Sequence, residues 1–158
     1  GIALFNRDGK VFVGRRKAGP EVREEDAWQM PQGGIDRGED PLEAARRELR
    51  EETGVVSARF LMESPGWFRY DLPNHLVGRA WRGRYRGQAQ KWFAFRFEGE
   101  DAEIDVLHPP DGHRPEFTGW RWEDLSRTPD LVIPFKRGVY LKVLETFGHL
   151  AGEATERG

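Results

Sequence analysis

Short apolar or alternating segments of this chain predict β-strands. Ile2–Phe5 and Val11–Arg15 are two such segments, and the Asp8-Gly9 pair between them is typical of a hairpin turn. In residues 91–97, phenylalanine occupies every second position from 93 to 97, which places an aromatic row on one face of a strand. Further strands are predicted over residues 55–62, 67–72, 75–81 and 118–122.

A helix is predicted from Pro41 to about Thr53. Asp40 is a typical N-cap, proline is favoured at the first helical position, and Glu43 completes a capping-box pattern. Gly54 is placed to supply the left-handed residue that ends the last turn. Inside these limits the apolar residues recur at helical spacing, at Leu42, Ala45 and Leu49.

The remaining pattern predicts one domain over residues 1–158, of α/β class, with a mixed sheet between helices. A second helix is expected from Pro134 onward, where apolar residues again repeat at helical spacing, and the tail from Gly152 is expected to fray. Polar segments rich in glycine and proline predict surface loops over residues 17–26 and 99–114.

The first helix carries an unusual charge pattern. Glu48 lies three residues before Glu51 and four before Glu52, so three carboxylates project from neighbouring turns and repel one another. A hard divalent cation such as Mg²⁺ prefers oxygen ligands, and it would turn this repulsion into attraction. The Gly33 carbonyl in the preceding loop could add a ligand, and Arg47 is the expected orienting partner. The alternative is an ordinary solvated helix face with salt bridges.

Composition narrows the possible partners. A net charge of -2 and a pI near 6.1 argue against broad electrostatic wrapping of nucleic acid, so we expect no DNA partner and only local contacts with RNA. The chain has no cysteine, and no apolar run approaches the ~20 residues of a membrane span. No signal peptide is visible after Gly1, so a cytoplasmic location is expected, without a membrane partner.

These motifs carry a family resemblance. Gly33, Glu39, the run Arg47-Glu48-Leu49, Glu51-Glu52 and Gly54-Val55 are spaced so that the segment resembles the Nudix box at every fixed position. Other segments are similar to the branch containing bacterial RNA pyrophosphohydrolases and dinucleoside polyphosphate hydrolases: WQMPQGGID, RYDLP, GQAQKWFAFRF, PEFTGWRW and PFKRGVY.

The resemblance implies an α/β/α sandwich and a metal-dependent hydrolase using about two or three Mg²⁺ or Mn²⁺ ions. It implies that Glu48, Glu51, Glu52 and the Gly33 carbonyl bind metal, and that Glu116 is a further ligand or a base. Either Glu52 or Glu116 would then be the general base. The other interpretation of Glu116 is an exposed loop carboxylate.

The resemblance also implies a substrate site. Lys91 and Tyr70 would contact the phosphate chain, while Phe135 and Arg16 would sandwich a nucleobase, with Lys136 beside it. Tyr70 could instead be an ordinary aromatic residue at a strand end, and Phe135 a core residue at a helix start.

The implied reaction is hydrolysis of a phosphoanhydride in a nucleotide or a 5′-triphosphorylated RNA. RNA would lose pyrophosphate, and diadenosine tetraphosphate would give ATP and AMP. The alternatives are a hydrolase for damaged nucleoside triphosphates or ADP-sugars and, in a different class, a noncatalytic RNA-binding module. A protein partner is not identified by the sequence.

Overall fold

The computed structural model describes residues 1–17, 22–77 and 87–157. Its α-helices range in length from a single turn to 21 residues, and its strands from two to six residues. The strands are β1 (Ile2–Phe5), β2 (Val11–Arg15), β3 (Trp28–Gln29), β4 (Ala58–Glu63), β5 (Phe68–Asp71), β6 (Gly87–Gln90), β7 (Phe93–Phe97) and β8 (Gly119–Glu123). The helices are α1 (Pro41–Thr53), α2 (Asn74–Val77) and α3 (Arg137–Arg157).

Within the described residues, six of the strands form one mixed sheet. Its order is β3-β2-β1-β7-β4, and β8 also pairs with β2. β1 runs parallel to β7, with Leu4 opposite Phe95, whereas the other pairs in this sheet are antiparallel. β5 and β6 form a separate antiparallel ribbon, with Phe68 opposite Gln90.

The period of two along the central strands separates two apolar cores. Ile2 and Leu4 face a core that contains Ala45 and Leu49 of α1, together with the phenylalanines of β7. The alternate residues of the same strands, such as Phe5, face the core that α3 covers. Helices therefore pack on opposite faces of the mixed sheet, which confirms the predicted α/β class.

Several predicted boundaries differ from the structure. The strand expected over residues 55–62 begins only at Ala58, and the one expected over 91–97 begins at Phe93. The strand prediction for residues 75–81 is wrong for Asn74–Val77, which form a helical turn, while residues 78–81 lie outside the described part. Adjacent apolar residues at Leu76 and Val77 break the alternation that a half-buried strand requires.

Two strands were not predicted, and one helix is longer than expected. β3 is only two residues long, and β6 is the polar segment GQAQ, which pairs with β5 although it has no hydrophobic pattern. α3 continues to Arg157 rather than ending near Gly152. Residues 18–21 of the predicted loop 17–26 lie outside the described residues. The loop 99–114 contains two short 3₁₀ turns.

In the part of the chain that is described, no helix combines the length and the apolar character needed to cross a bilayer.

Candidate active site

Helix α1 is fixed at both ends by local interactions. The Asp40 side chain accepts hydrogen bonds from the backbone N–H groups of Leu42 and Glu43, at 3.1 and 3.3 Å. Gly54 has φ 79°, and its N–H donates to the Arg50 carbonyl. A residue with a side chain would be strained at this φ, so glycine ends the helix here. The predicted limits of α1 are confirmed.

Arg47 lies at the centre of the acidic group. Its Nη1 donates to Glu48 at 2.9 Å and to Glu51 at 3.1 Å, so one guanidinium group bridges two of the three predicted carboxylates. Its Nε and Nη2 form a bidentate pair with Glu39, at 2.8 and 2.9 Å, and Nη2 also donates to the Gly34 carbonyl at 2.8 Å. Arg47 thus ties the glycine loop to the helix.

Glu39 anchors this arrangement. Its hydrogen bonds with the Arg47 guanidinium, and a further bond from the Asp36 backbone N–H at 3.0 Å, lower the pKa of Glu39 to about 2. The same bond with Glu39 raises the pKa of Arg47. Both groups therefore remain charged across the neutral range, and the planar guanidinium group is held in one orientation.

Glu52 is buried against the loop before α1. Its Oε2 accepts a hydrogen bond from the Gln32 backbone N–H at 3.1 Å. Burial, with the nearby negative charges of Glu116 and Glu48 as further causes, raises the pKa of Glu52 to about 9. Burial also raises the pKa of Glu48. In the absence of a cation, Glu52 therefore keeps its proton at neutral pH.

Gly33 packs directly against Glu48. A Cβ at position 33 would overlap the carboxyl group of Glu48, so only glycine permits this close approach. The loop backbone therefore lies beside the Glu48 carboxyl group. The carboxylates are turned to different partners, however: Glu48 and Glu51 to Arg47, and Glu52 to Gln32.

The donor set suits a hard cation, although the side chains do not converge on one point. Among the described residues, no group of three or more acidic, histidine or cysteine side chains is positioned to hold a metal ion as it stands. The oxygen donors, the buried carboxyl group of Glu52 and the close approach of Gly33 to Glu48 all fit a divalent metal ion.

A second cluster collects predicted substrate residues near Glu116. The rings of Tyr70 and Phe135 lie 5.6 Å apart at an interplanar angle of 36°, and Lys136 Nζ lies 5.7 Å from the centre of the Tyr70 ring. Arg16 Nε is 4.0 Å from Glu116 Oε1. Burial lowers the pKa of Lys136 to about 8, and the Arg16 charge acts in the same direction. One region of the surface therefore collects residues from four segments: the residue after β2, strand β5, the loop before β8 and the turn before α3.

Lys91 directly follows β6, whereas Tyr70 lies on the paired strand β5, opposite Gln88. Lys91 borders a cleft of about 340 Å³ that Gly33 and Glu48 also line, and its Nζ is 3.8 Å from Glu63. Phe135 lies in the 3₁₀ turn Pro134–Lys136, directly before α3, and it is partly buried against the core that this helix covers. Of the two predicted phosphate-contacting residues, Lys91 lines this cleft and Tyr70 does not.

Sequence reasoning missed a chain of amides that links these two parts. Tyr70 Oη donates to Gln88 at 2.9 Å, and Gln90 Nε2 donates to Gln32 Oε1 at 2.8 Å. The Trp92 indole N–H donates to Gln90 at 3.1 Å and anchors the chain in the core. The one available signal was the spacing of Gln88 and Gln90, which places both on one face of a strand.

His113 was also missed. Its Nε2 lies 3.5 Å from Glu51 Oε1, although the sequence placed this histidine in a loop without a role. The same loop is linked to α1 by Arg50 and Asp111, whose charged atoms are 3.2 Å apart. Nothing local in the sequence connects this loop with α1, which is more than 50 residues earlier in the chain.

The sequence matches the family model described as the NUDIX domain over residues 1–143. The chain belongs to the Nudix family. A curated Nudix relative from Bradyrhizobium sp. (strain ORS 278), described as RNA pyrophosphohydrolase, is 58% identical over 154 residues, covering 96% of this chain and 92% of its own length. A second, from Rhodopseudomonas palustris (strain ATCC BAA-98 / CGA009) and described in the same words, is 57% identical over 152 residues, covering 96% of this chain and 90% of the relative.

Among solved structures, the E. coli dihydroneopterin triphosphate pyrophosphohydrolase has the same fold, with a TM-score of 0.63 and 19% sequence identity, over 89% of this chain and 90% of the other. The family match and the curated relatives identify the protein as a Nudix hydrolase enzyme and support pyrophosphohydrolase activity. Nudix hydrolases generally use divalent metal ions.

Proposed function

We propose that this Nudix hydrolase removes pyrophosphate from the 5′ end of triphosphorylated RNA with the help of about two or three Mg²⁺ or Mn²⁺ ions. The observation that carries the proposal is the position of Glu52, which is buried near both Glu48 of α1 and Glu116 of the second cluster. The carboxylates of α1 thus offer ligands for cations, and the second cluster offers surfaces for a nucleobase. The names of the relatives support the choice of RNA.

The metal ligands in this proposal are Glu48, Glu51, Glu52, the Gly33 carbonyl and Glu116. Bound cations would neutralise charge on the phosphate oxygens and lower the pKa of a bound water. Arg47 would hold Glu48 and Glu51 near the glycine loop, as it does in this structure, and Glu39 would keep the guanidinium in place.

The reaction is an in-line attack of water on phosphorus. A new P–O bond forms to the water oxygen, the anhydride P–O bond breaks, and pyrophosphate leaves with the electron pair. Glu52 or Glu116 accepts the proton from water. The RNA product carries a 5′-monophosphate.

The base-binding part of the proposal involves Phe135 and Arg16. Phe135 is partly buried against Tyr70, which leaves part of its ring for contact with a base, and Arg16 lies beside Glu116 with about a third of its side chain exposed. Stacking between an aromatic ring and a guanidinium accepts any base. Lys136 and Tyr70 would border the base, and Lys91 would contact the phosphates from the cleft. A cytoplasmic location follows from this substrate, because bacterial transcripts are made there.

Turnover of a short 5′-triphosphorylated RNA tests the proposal. The unaltered protein should release pyrophosphate with Mg²⁺ or Mn²⁺, and an excess of chelator should stop the release. Glu52→Gln should lower kcat by about 100-fold or more, whereas Glu43→Gln, an exposed glutamate on the same helix, should not. Undiminished turnover by Glu52→Gln, or in the presence of chelator, would overturn the proposal.

A parallel assay with diadenosine tetraphosphate separates the related substrate classes. Hydrolysis of the dinucleotide alone, with no release from RNA, would replace RNA pyrophosphohydrolase activity with dinucleoside polyphosphate hydrolysis at the same site. Binding of RNA without any turnover would instead favour a noncatalytic module.

A further inference from the structure

The segment that carries Glu116 is anchored at both ends and exposed between them. The Asp105 N–H donates to the carbonyl of Thr53, the last residue of α1, at 2.9 Å. At the other end, Phe117 is buried in the core beside α1. Residues 111–116, which we call the Glu116 loop, are exposed to solvent. Burial therefore does not fix the place of Glu116, and contacts along the exposed stretch must do so.

The Glu116 loop contacts two consecutive residues of α1. Arg50 Nη1 donates to Asp111 Oδ2 at 3.2 Å, and His113 Nε2 lies 3.5 Å from Glu51 Oε1. Consecutive residues of a helix project about 100° apart. The two contacts therefore lay the loop across the last turn of α1 instead of joining it at one point.

The backbone at this contact has an uncommon conformation. Asp111 has φ 60° and Gly112 has φ 73°, so two successive residues lie in the left-handed region. Residues with a side chain rarely adopt this region, and aspartate and asparagine tolerate it better than most. Such a conformation persists where the surroundings hold it. The hydrogen bond from Arg50 is a contact that holds Asp111 in this way.

The link from the helix contact to Glu116 is short and stiff. Glu116 lies three residues beyond His113, a span of at most about 11 Å. Pro115 directly precedes Glu116, and a proline ring holds φ near about −65°. Proline also restricts the residue before it, here Arg114, to extended conformations. A displacement of the loop at α1 is therefore passed on to Glu116.

We infer that Arg50 and Asp111 are positioning residues for Glu116, because their ion pair holds the Glu116 loop on α1. The inference rests on the proposed function, since it takes Glu116 as a metal ligand or general base. Such a group must be held within about 0.5 Å of its productive position. Neither positioning residue contacts the substrate in this proposal, and both act through Glu116.

A double-mutant cycle tests the inference. Asp111→Asn removes one charge and keeps a residue that tolerates the left-handed region, and Arg50→Gln removes the other charge. At saturating Mg²⁺, each single variant should lower kcat for a 5′-triphosphorylated RNA about threefold, the factor that corresponds to an exposed ion pair. KM should change by less than about 1.5-fold, because the nucleobase site is untouched. The double variant should lose no more than either single one, and Arg50→Lys, which keeps the charge, should retain most of kcat.

Amide hydrogen exchange gives a readout that does not depend on turnover. Exchange over residues 110–118 should be about threefold faster in both single variants, because the loop leaves α1 more often. The side chains of Arg50 and Asp111 are 46% and 64% exposed, so the melting temperature should change by less than about 2 °C. Arg59→Gln is the matched control, since it breaks another exposed ion pair, with Glu98 at 3.7 Å, and should change neither kcat nor exchange in the loop.

Unchanged kcat in both single variants, or losses that multiply in the double variant, would overturn the inference. Lower kcat with unchanged exchange of the loop would do the same, because the loss would then have another origin. The RNA reaction of the unaltered protein separates the two proposals. If RNA is cleaved but the cycle shows no coupling, only the positioning role is wrong. If RNA is not cleaved, the proposed function fails, and the exchange measurement still decides whether the ion pair holds the loop.

Discussion

Replacing Glu52 with glutamine should make the metal-free protein more stable above about pH 5, even though it should abolish turnover. The reason is the environment of the carboxyl group. Glu52 is buried beside Glu48 and Glu116, and its pKa is raised from the ordinary 4.5 to about 9. Glutamine has nearly the same shape, carries no charge and can still accept the hydrogen bond from the Gln32 N–H.

The sign follows from proton binding in the two states. Between the unfolded pKa of 4.5 and the folded pKa of about 9, the folded protein holds a proton on Glu52 that the unfolded chain has lost. Stability is therefore fully present below the lower value and falls as pH rises toward the upper one, by at most about 1.4 kcal/mol per pH unit. At pH 7 this loss reaches up to about 3 kcal/mol, which glutamine would avoid.

Urea unfolding in excess chelator at several pH values between 5 and 9 measures the effect. The free energy of unfolding of the unaltered protein should decline with pH more steeply than that of Glu52→Gln, and the two should converge near pH 5. Glu43→Gln, at an exposed position of the same helix, controls for the loss of one carboxylate. Added Mn²⁺ should stabilise the unaltered protein and have less effect on Glu52→Gln.

Parallel pH profiles for the unaltered protein and Glu52→Gln would refute the reasoning. So would a glutamine variant that is less stable than the unaltered protein at pH 8 without metal. Either result would mean that Glu52 is ionised in the metal-free fold and that neighbouring positive charge, rather than a missing cation, satisfies it.

Three other substitutions test the residues that hold the site residues in position. Gly33→Ala should lower kcat by about 100-fold with little change in melting temperature, because a Cβ would displace the Glu48 carboxyl group, and normal kcat would contradict this. Arg47→Lys keeps the charge but loses the bidentate contact with Glu39, so the urea concentration at the midpoint of unfolding should fall, whereas an unchanged midpoint would mean that the bidentate contact is unimportant. Gln90→Leu leaves the Trp92 indole N–H without its buried acceptor and should cost about 1–3 kcal/mol in the same assay; a leucine variant of equal stability would argue against the amide chain as a support.

Much of the site could be read from the sequence because its signals are local. The N-cap at Asp40, the left-handed glycine at position 54 and the apolar spacing between them fix α1 within 15 residues of chain. Once the helix is fixed, its geometry places Glu48, Glu51 and Glu52 on neighbouring turns, and Arg47 within reach of Glu51. The alternating phenylalanines of β7 likewise assigned one face of that strand to a core.

The sequence did not predict the elements that form through strand pairing rather than through a hydrophobic pattern. Strand β6 is entirely polar or small, and it is a strand because its backbone pairs with β5. The amides of Gln88 and Gln90 acquire their roles through this pairing. No local pattern could reveal them, since backbone hydrogen bonds in a ribbon depend on the partner strand.

By itself, the sequence determined helix α1, its limits and the alternation by which the central strands face two cores. Caps and periodicity act over a few neighbouring residues, so they can be read locally. Only the tertiary structure brought Glu116 near Glu52 and Arg16, packed Tyr70 against Phe135, and placed Lys91 in the same cleft as Glu48. These groups come from segments that are far apart in the chain. They meet only when the complete fold forms, because only then are both faces of the sheet buried and its backbone hydrogen bonds made.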